Sequence, residues 1–243
     1  MHGYVAGILM LDSRSARLPG DPGHAATFDF PVCYATARGM TFADLVSYEP
    51  RSLAPAVAAA RELQEAGVGF VAADCGLFSL YQRDLAVALE VPFAGSALSL
   101  VPLLSATVGR AAVGVVTGHS EYLGAAHLAG AGIDPDTVVV AGMECRSEFR
   151  RVVLDGALDP VEESLRTEVV ETCLELVSGP RRIGALVLEC SNLATYRTAV
   201  QEACGVPVFD TVTLIELLAD GYRRRVFASS HVARRPVAVP VVE

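Results

Sequence analysis

The sequence predicts an α/β protein made of two related halves, each a parallel sheet flanked by helices. Three observations predict it. The first is an internal repeat: GFVAADCGLFSLYQRDLAVALEVPFAGSALSLVPLL, starting at Gly69, aligns without a gap on GALVLECSNLATYRTAVQEACGVPVFDTVTLIELLAD, starting at Gly184, at an offset of 115 residues. Repeats of this length are supersecondary units rather than chance similarity. The second is a set of continuous apolar runs bounded by glycine or proline, the pattern of strands buried on both faces. The third is the alternation of those runs with Ala- and Glu-rich amphipathic segments, which serve as crossover helices between parallel strands.

In chain order, the predicted strands are 5–11, 68–73, 91–94, 112–117, 137–141, 183–189 and 206–210, and the predicted helices 53–66, 77–89, 159–177, 194–203 and 211–222. The stretch 91–109 is uncharged but broken by Pro92, Gly95, Ser96, Ser99, Pro102 and Ser105, so it reads as a strand end followed by a core helix and not as a membrane span. A looser echo, Val5-Ala6-Gly7-Ile8-Leu9 against Ala112-Val113-Gly114-Val115-Val116, extends the duplication upstream. The helix after Asp210 is expected to return the chain to the first half. This assigns 1–106 plus 211–243 to one domain and 107–210 to the other. Residues 231–243 are interrupted by proline and read as a surface tail.

Composition narrows the chemistry. All 19 basic residues are arginine. Without lysine, pyridoxal-phosphate enzymes, Schiff-base aldolases and P-loop nucleotidases are excluded in their usual forms, since each needs a lysine amine. The net charge of −9 and the scattered arginine groups, including Arg223–Arg225, offer no stripe for nucleic acid. The N-terminal apolar run stops at Asp12 and lacks a cleavage signature, so a cytoplasmic protein is expected. The six cysteines form no CxxC pair and the five histidines no metal-like spacing, so neither disulfides nor a structural metal is expected.

Cys75 and Cys190 carry the functional signal. Each lies just past a buried strand and before a helix, at matched positions of the repeat. Strand ends of an open parallel sheet form the ligand crevice, and a helix N-terminus lends a cysteine thiolate character. Two facing halves then place two thiols on opposite sides of one cleft, the arrangement for moving a proton. Small polar loops at strand ends are the candidate substrate contacts: Asp12 and Ser13, Asp74 and Gly76 beside Cys75, Thr117, Gly118, His119 and Ser120, and Ser191 and Asn192 beside Cys190. Asp12 reads equally as a turn cap, and Glu189 as a residue that orients Cys190 or ends a strand. An ionised Asp74 raises the Cys75 pKa. Cys33, Cys145, Cys173 and Cys204 read as packing, and Tyr81 and Tyr196 as rings packed on the sheets with hydroxyls at the surface.

The segments ADCG (Ala73–Gly76) and LECSN (Leu188–Asn192), with the opening GILMLDS and the strand-end VGVVTGHS, resemble the motifs of the aspartate/glutamate racemase superfamily. The resemblance implies two pseudo-symmetric flavodoxin-like domains with the active site in the cleft between them, no cofactor, and Cys75 and Cys190 as acid and base. Ala73-Asp74 stands where that family usually has Thr-Asn. The expected activity is racemisation or epimerisation of an amino acid or related small carboxylic acid. Its alternatives are a maleate-type cis–trans isomerase with a cysteine nucleophile and a non-catalytic small-acid sensor. A homodimer is common for such folds. The segment LPGDPGHA, 18–25, resembles a loop peculiar to one branch of that superfamily.

Overall fold

The computed structural model describes residues 3–223. The expected tail at 231–243, and Arg224 and Arg225, lie outside the described residues. Two four-stranded sheets form, all strands parallel. The first has the order β2-β1-β3-β4, from β1 (Ala6–Leu11), β2 (Val32–Ala37), β3 (Phe70–Ala73) and β4 (Phe93–Ala94). The second repeats it as β6-β5-β7-β8, from β5 (Ala112–Thr117), β6 (Val138–Gly142), β7 (Ile183–Leu188) and β8 (Val208–Asp210). In each sheet the two strands that carry the repeat lie side by side.

All seven expected strands form, with ends shifted by up to two residues. β2 was not expected. It is an edge strand whose first three residues are only half-buried, so VCYATA lacks the apolar continuity of a central strand. The helices α1 (Leu53–Glu65), α2 (Gln82–Ala88), α3 (Val101–Thr107), α4 (Ala125–Gly130), α5 (Ser147–Phe149), α6 (Glu162–Val177), α7 (Arg197–Cys204) and α8 (Thr211–Tyr222) complete the layers. α5 runs into a π-helical turn, Arg150–Leu154. Where single helices were expected after each cysteine, the chain first makes a six-residue 3-10 segment, Gly76–Tyr81 or Ser191–Tyr196, and only then α2 or α7. The two halves share this detour at the same offset.

The period-two alternation of strands divides the second sheet's residues between two cores. Val113, Val115, Ala185 and Val187 join the cluster of the first half, while Val116, Leu186 and Leu188 pack with Phe149, Val169 and Cys173. α8 contributes Leu214, Ile215 and Ala219 to the first cluster, and Tyr222 stacks on Phe70 with ring centroids 5.9 Å apart. Asp210 caps α8 by accepting from the Thr213 N–H at 2.7 Å.

α4 ties the halves together. His127 Nδ1 accepts from the Gly124 N–H at 3.2 Å, which leaves Nε2 to donate to the Leu45 carbonyl at 2.7 Å. Gly130 meets the backbone of the Gly76–Tyr81 turn so closely that a Cβ there would run into the Ser79 carbonyl oxygen. Gly130→Ala is therefore expected to lower the urea midpoint by the equivalent of about 1–3 kcal/mol, with an unchanged m-value. A midpoint within error of the wild type would mean that this junction yields without cost. Among the described residues no helix is long and apolar enough to cross a membrane.

Candidate active site

Cys75 and Cys190 occupy the N-cap positions of the two matched 3-10 segments. Both line one cleft of about 620 Å³, with Leu11, Ser13, Ser15, Arg17, Phe42, Asp74, Val153, Leu154, Ser191 and Asn192. The strand-end positions of the two sheets thus meet at one place. Among the expected contacts, Ser13, Asp74, Ser191 and Asn192 reach this lining.

The others are held nearby or turned away. Asp12 is exposed, and its carboxylate accepts from the Gly39 N–H at 2.8 Å, closing the β1–β2 end as a turn cap. Gly76 is buried beneath Glu189. Thr117 is buried and donates to Glu189 Oε2 at 2.7 Å. Gly118 lies beside Cys190, with room for a Cβ 3.5 Å from Sγ. His119 stacks on Tyr122 at 3.8 Å between centroids, and Ser120 donates to Glu144 at 2.5 Å. The tyrosine hydroxyls do not reach the surface as expected. Tyr81 OH donates to the Glu49 carbonyl at 3.1 Å and accepts from its N–H at 2.9 Å, and Tyr196 OH is buried. Cys173 is buried and Cys204 half-buried, whereas Cys145 is exposed rather than packed.

Two residues with no motif around them organise the site. Arg17 donates to Asp74 at 2.5 Å and to Asp21 at 3.1 Å, and both carboxylates are almost fully buried. Asp74 also accepts from the Leu11 N–H at 3.0 Å. Asp21 accepts from the Gly23 N–H at 2.7 Å and, across the cleft, from Asn192 Nδ2 at 3.0 Å. An ionised Asp21 only accepts, so the Asn192 amide is turned with Oδ1 toward Cys190, whose Sγ lies 3.7 Å away. Gly20, at φ +99°, packs on the Thr195 backbone, where a Cβ would come 2.8 Å from Cα. The loop carrying Arg17 and Asp21 therefore begins in the first half and is fastened to the second.

Burial dominates the electrostatics. It raises Asp74 to about 6, against the opposing attraction of Arg17, and Glu189 to about 7, against the Thr117 hydrogen bond. Burial also pushes both thiols above the ordinary cysteine value, and Glu189 is the largest charge adding to the rise at each. Asp74 adds to it at Cys75. The expected thiolate character is thus overridden: the segments behind the cysteines are short 3-10 turns, and desolvation next to carboxylates disfavours an anion. Among the described residues no cluster of three or more His, Cys, Asp or Glu is placed to hold a metal ion.

No family model matches the chain. A dimethylsulfoniopropionate lyase of Durusdinium sp. clade D is 28% identical over 225 residues, covering 89% of this chain and 74% of that protein. Dimethylsulfoniopropionate lyase 3 of Emiliania huxleyi (strain CCMP1516) is 28% identical over 217 residues, covering 85% of this chain and 57% of that protein. Among solved structures, an arylmalonate decarboxylase variant in a sulfate-associated form superposes with a TM-score of 0.59 at 18% identity, over 90% of this chain and 95% of that one. The allantoin racemase of Klebsiella pneumoniae gives 0.54 at 17% identity over 89% and 86%, and a glutamate racemase of Bacillus anthracis 0.55 at 15% over 91% and 82%. The fold is the one these decarboxylase and racemase structures share, the architecture that the motifs implied. The expected activity needs correction. The curated relatives are named as lyases, which conflicts with racemisation and with its isomerase and sensor alternatives. A pair of strand-end cysteines is compatible with more than one fate of the carbanion, so the motif alone did not separate them.

Proposed function

We propose that this chain, built on the aspartate/glutamate racemase fold, is a lyase that eliminates dimethyl sulfide from dimethylsulfoniopropionate. The observation that carries this reading is the pair of thiols in one cleft, in a chain whose curated relatives are named for that substrate.

The substrate has a carboxylate at one end and a sulfonium on the carbon β to it. Its α-hydrogen is weakly acidic, and its β-substituent leaves as a neutral thioether. A cysteine thiolate takes the α-hydrogen, the C–H electron pair becomes the α,β double bond, and the β C–S pair departs with sulfur. The products are acrylate and dimethyl sulfide. One base suffices, because no proton returns to carbon.

The lining supports this chemistry. Leu11, Val153 and Leu154 offer apolar surface to the S-methyl groups, and the Phe42 ring offers a π face to the sulfonium charge. The hydroxyls of Ser13, Ser15 and Ser191 supply donors for the substrate carboxylate. A bound cation also lowers the pKa of a neighbouring thiol. The substrate therefore offsets the burial and the neighbouring carboxylates that raise the Cys75 and Cys190 thiols.

The test is incubation of the purified protein with dimethylsulfoniopropionate, following dimethyl sulfide by headspace gas chromatography and acrylate by NMR. Stoichiometric appearance of both, well above the buffer rate, is the expected result. No release above background at millimolar substrate would overturn the assignment.

A further inference from the structure

The repeat places an acid before each cysteine, Asp74 and Glu189, and the structure treats the two differently. Asp74 is neutralised by Arg17 and held by the Leu11 N–H. Among the described residues no cation pairs with Glu189. Oε2 accepts from Thr117, while Oε1 is buried without a hydrogen-bond partner. Only 2% of the residue is exposed. Gly76 lacks the Cβ that would collide with Oε1 and with the Glu189 carbonyl, so this acid of the second half lies directly against the Cys75-Gly76 turn of the first. It also precedes Cys190 in the chain. A buried carboxylate with a vacant acceptor costs stability, and perturbed buried carboxylates in a cleft cluster at functional sites.

We propose that Glu189 is the proton-holding partner of the cleft cysteines: its free oxygen takes the thiol proton from the cysteine that acts as base. The proposal rests on the lyase reading for its substrate and on the geometry for its groups. The S–H bond breaks, an O–H bond forms on Oε1, and a thiolate beside a neutral carboxyl replaces a thiol beside a carboxylate. Net charge is unchanged, so the exchange avoids adding an anion to a buried site. The thiolate then takes the α-hydrogen as dimethyl sulfide leaves. The enzyme is left with one proton more than before, which passes to solvent. The titratable groups that feel Glu189 are the two thiols, Cys75 from the first half's turn and Cys190 from its own; Asp74 acts in addition on Cys75, and Asp21 and Arg17 of the crossing loop on Cys190. Its displacement to about 7 leaves it ionised and able to accept from pH 7 upward. Glu189 acts through a cysteine and is a positioning residue for the proton.

The experiment has two arms. In the first, Glu189→Gln, which keeps an acceptor for Thr117, lowers kcat at pH 7.5 by about 100-fold, the usual worth of a positioned acid–base group. In the second, iodoacetamide alkylation of Cys75 and Cys190 is followed against pH by peptide mass spectrometry, with no substrate present. An exchanging thiol–carboxylate pair gives a rate that rises to about pH 7, stays level while the two groups share one proton, and rises again when the second is lost. Glu189→Gln gives a single rise. Thr117→Val, which removes a bond that favours the carboxylate, moves the first inflection upward. A single rise in the wild type, or a level stretch that survives in Glu189→Gln at both cysteines, would overturn the proposal. Failure of wild-type protein to release dimethyl sulfide would sink the lyase reading and leave the alkylation arm to decide on Glu189.

Discussion

Serine at Cys75 and serine at Cys190 are expected to lower dimethyl sulfide release by unequal factors. The variant that loses the base falls by about 10²–10⁴-fold, because a hydroxyl is far less acidic than a thiol and a positioned base contributes on that scale. The other falls by about tenfold or less. After the α-hydrogen has gone and the C–S bond has broken, no carbon awaits protonation from the opposite face. A two-base racemising enzyme behaves otherwise, since each direction of turnover uses both groups. Both variants are measured by headspace chromatography at saturating dimethylsulfoniopropionate, with thermal melts to show that they fold. Equal losses of a thousandfold would mean that both thiols act in the rate-determining step, and single-base elimination would have to be abandoned.

The second large effect is expected at Arg17. Arg17→Met leaves Asp74 and Asp21 buried without their cation, and removing one partner of a buried ion pair costs about 3–5 kcal/mol. The cost depends on pH in a definite sense. Burial already raises the folded-state pKa of both carboxylates above the unfolded value. Without Arg17, whose charge opposes that rise, both go higher. A group with a raised folded pKa binds its proton more tightly when folded, so its ionisation subtracts stability as pH rises from the unfolded value through the folded one. The variant is therefore expected to approach wild-type stability near pH 4 and to fall progressively below it toward pH 8. Urea unfolding across that range checks this. A penalty that does not vary with pH would show that Arg17 acts by packing rather than by charge.

The duplication carried much of the architecture. Aligning two segments at one offset located β3 with β7, β4 with β8, and the turns that hold both cysteines, because each pair answers to the same packing demand. What the repeat did not contain was harder to read. β2 is a half-exposed edge strand, and its apolar signal is weak for that reason. Arg17 and Asp21 sit in an irregular loop whose partners are remote: Asp74 is 57 residues from Arg17, and Asn192 is 171 from Asp21. The arginine immediately before Leu18, and the aspartate in LPGDPGHA, carry no periodicity and no spacing rule. Asp12 fits a strand-end acid as well as a turn cap, and only the Gly39 hydrogen bond distinguishes them. Glu189 was visible as the counterpart of Asp74, yet nothing local tells which of the two receives the cation.

That unequal treatment bears on how a guest molecule is read. A pocket formed by two copies of one motif, facing each other, offers any occupant two nearly degenerate ways round. For a molecule whose ends resemble each other the degeneracy is harmless. The zwitterion proposed as substrate, inserted backwards, would bring its sulfonium where its carboxylate belongs and present the wrong carbon to the thiols. Because the loop from one half alone supplies Arg17, and quenches one of the two matched acids while sparing the other, the pocket acquires polarity. Ancestral twofold likeness in the backbone is thereby converted into a head and a tail for the ligand, without altering either sheet.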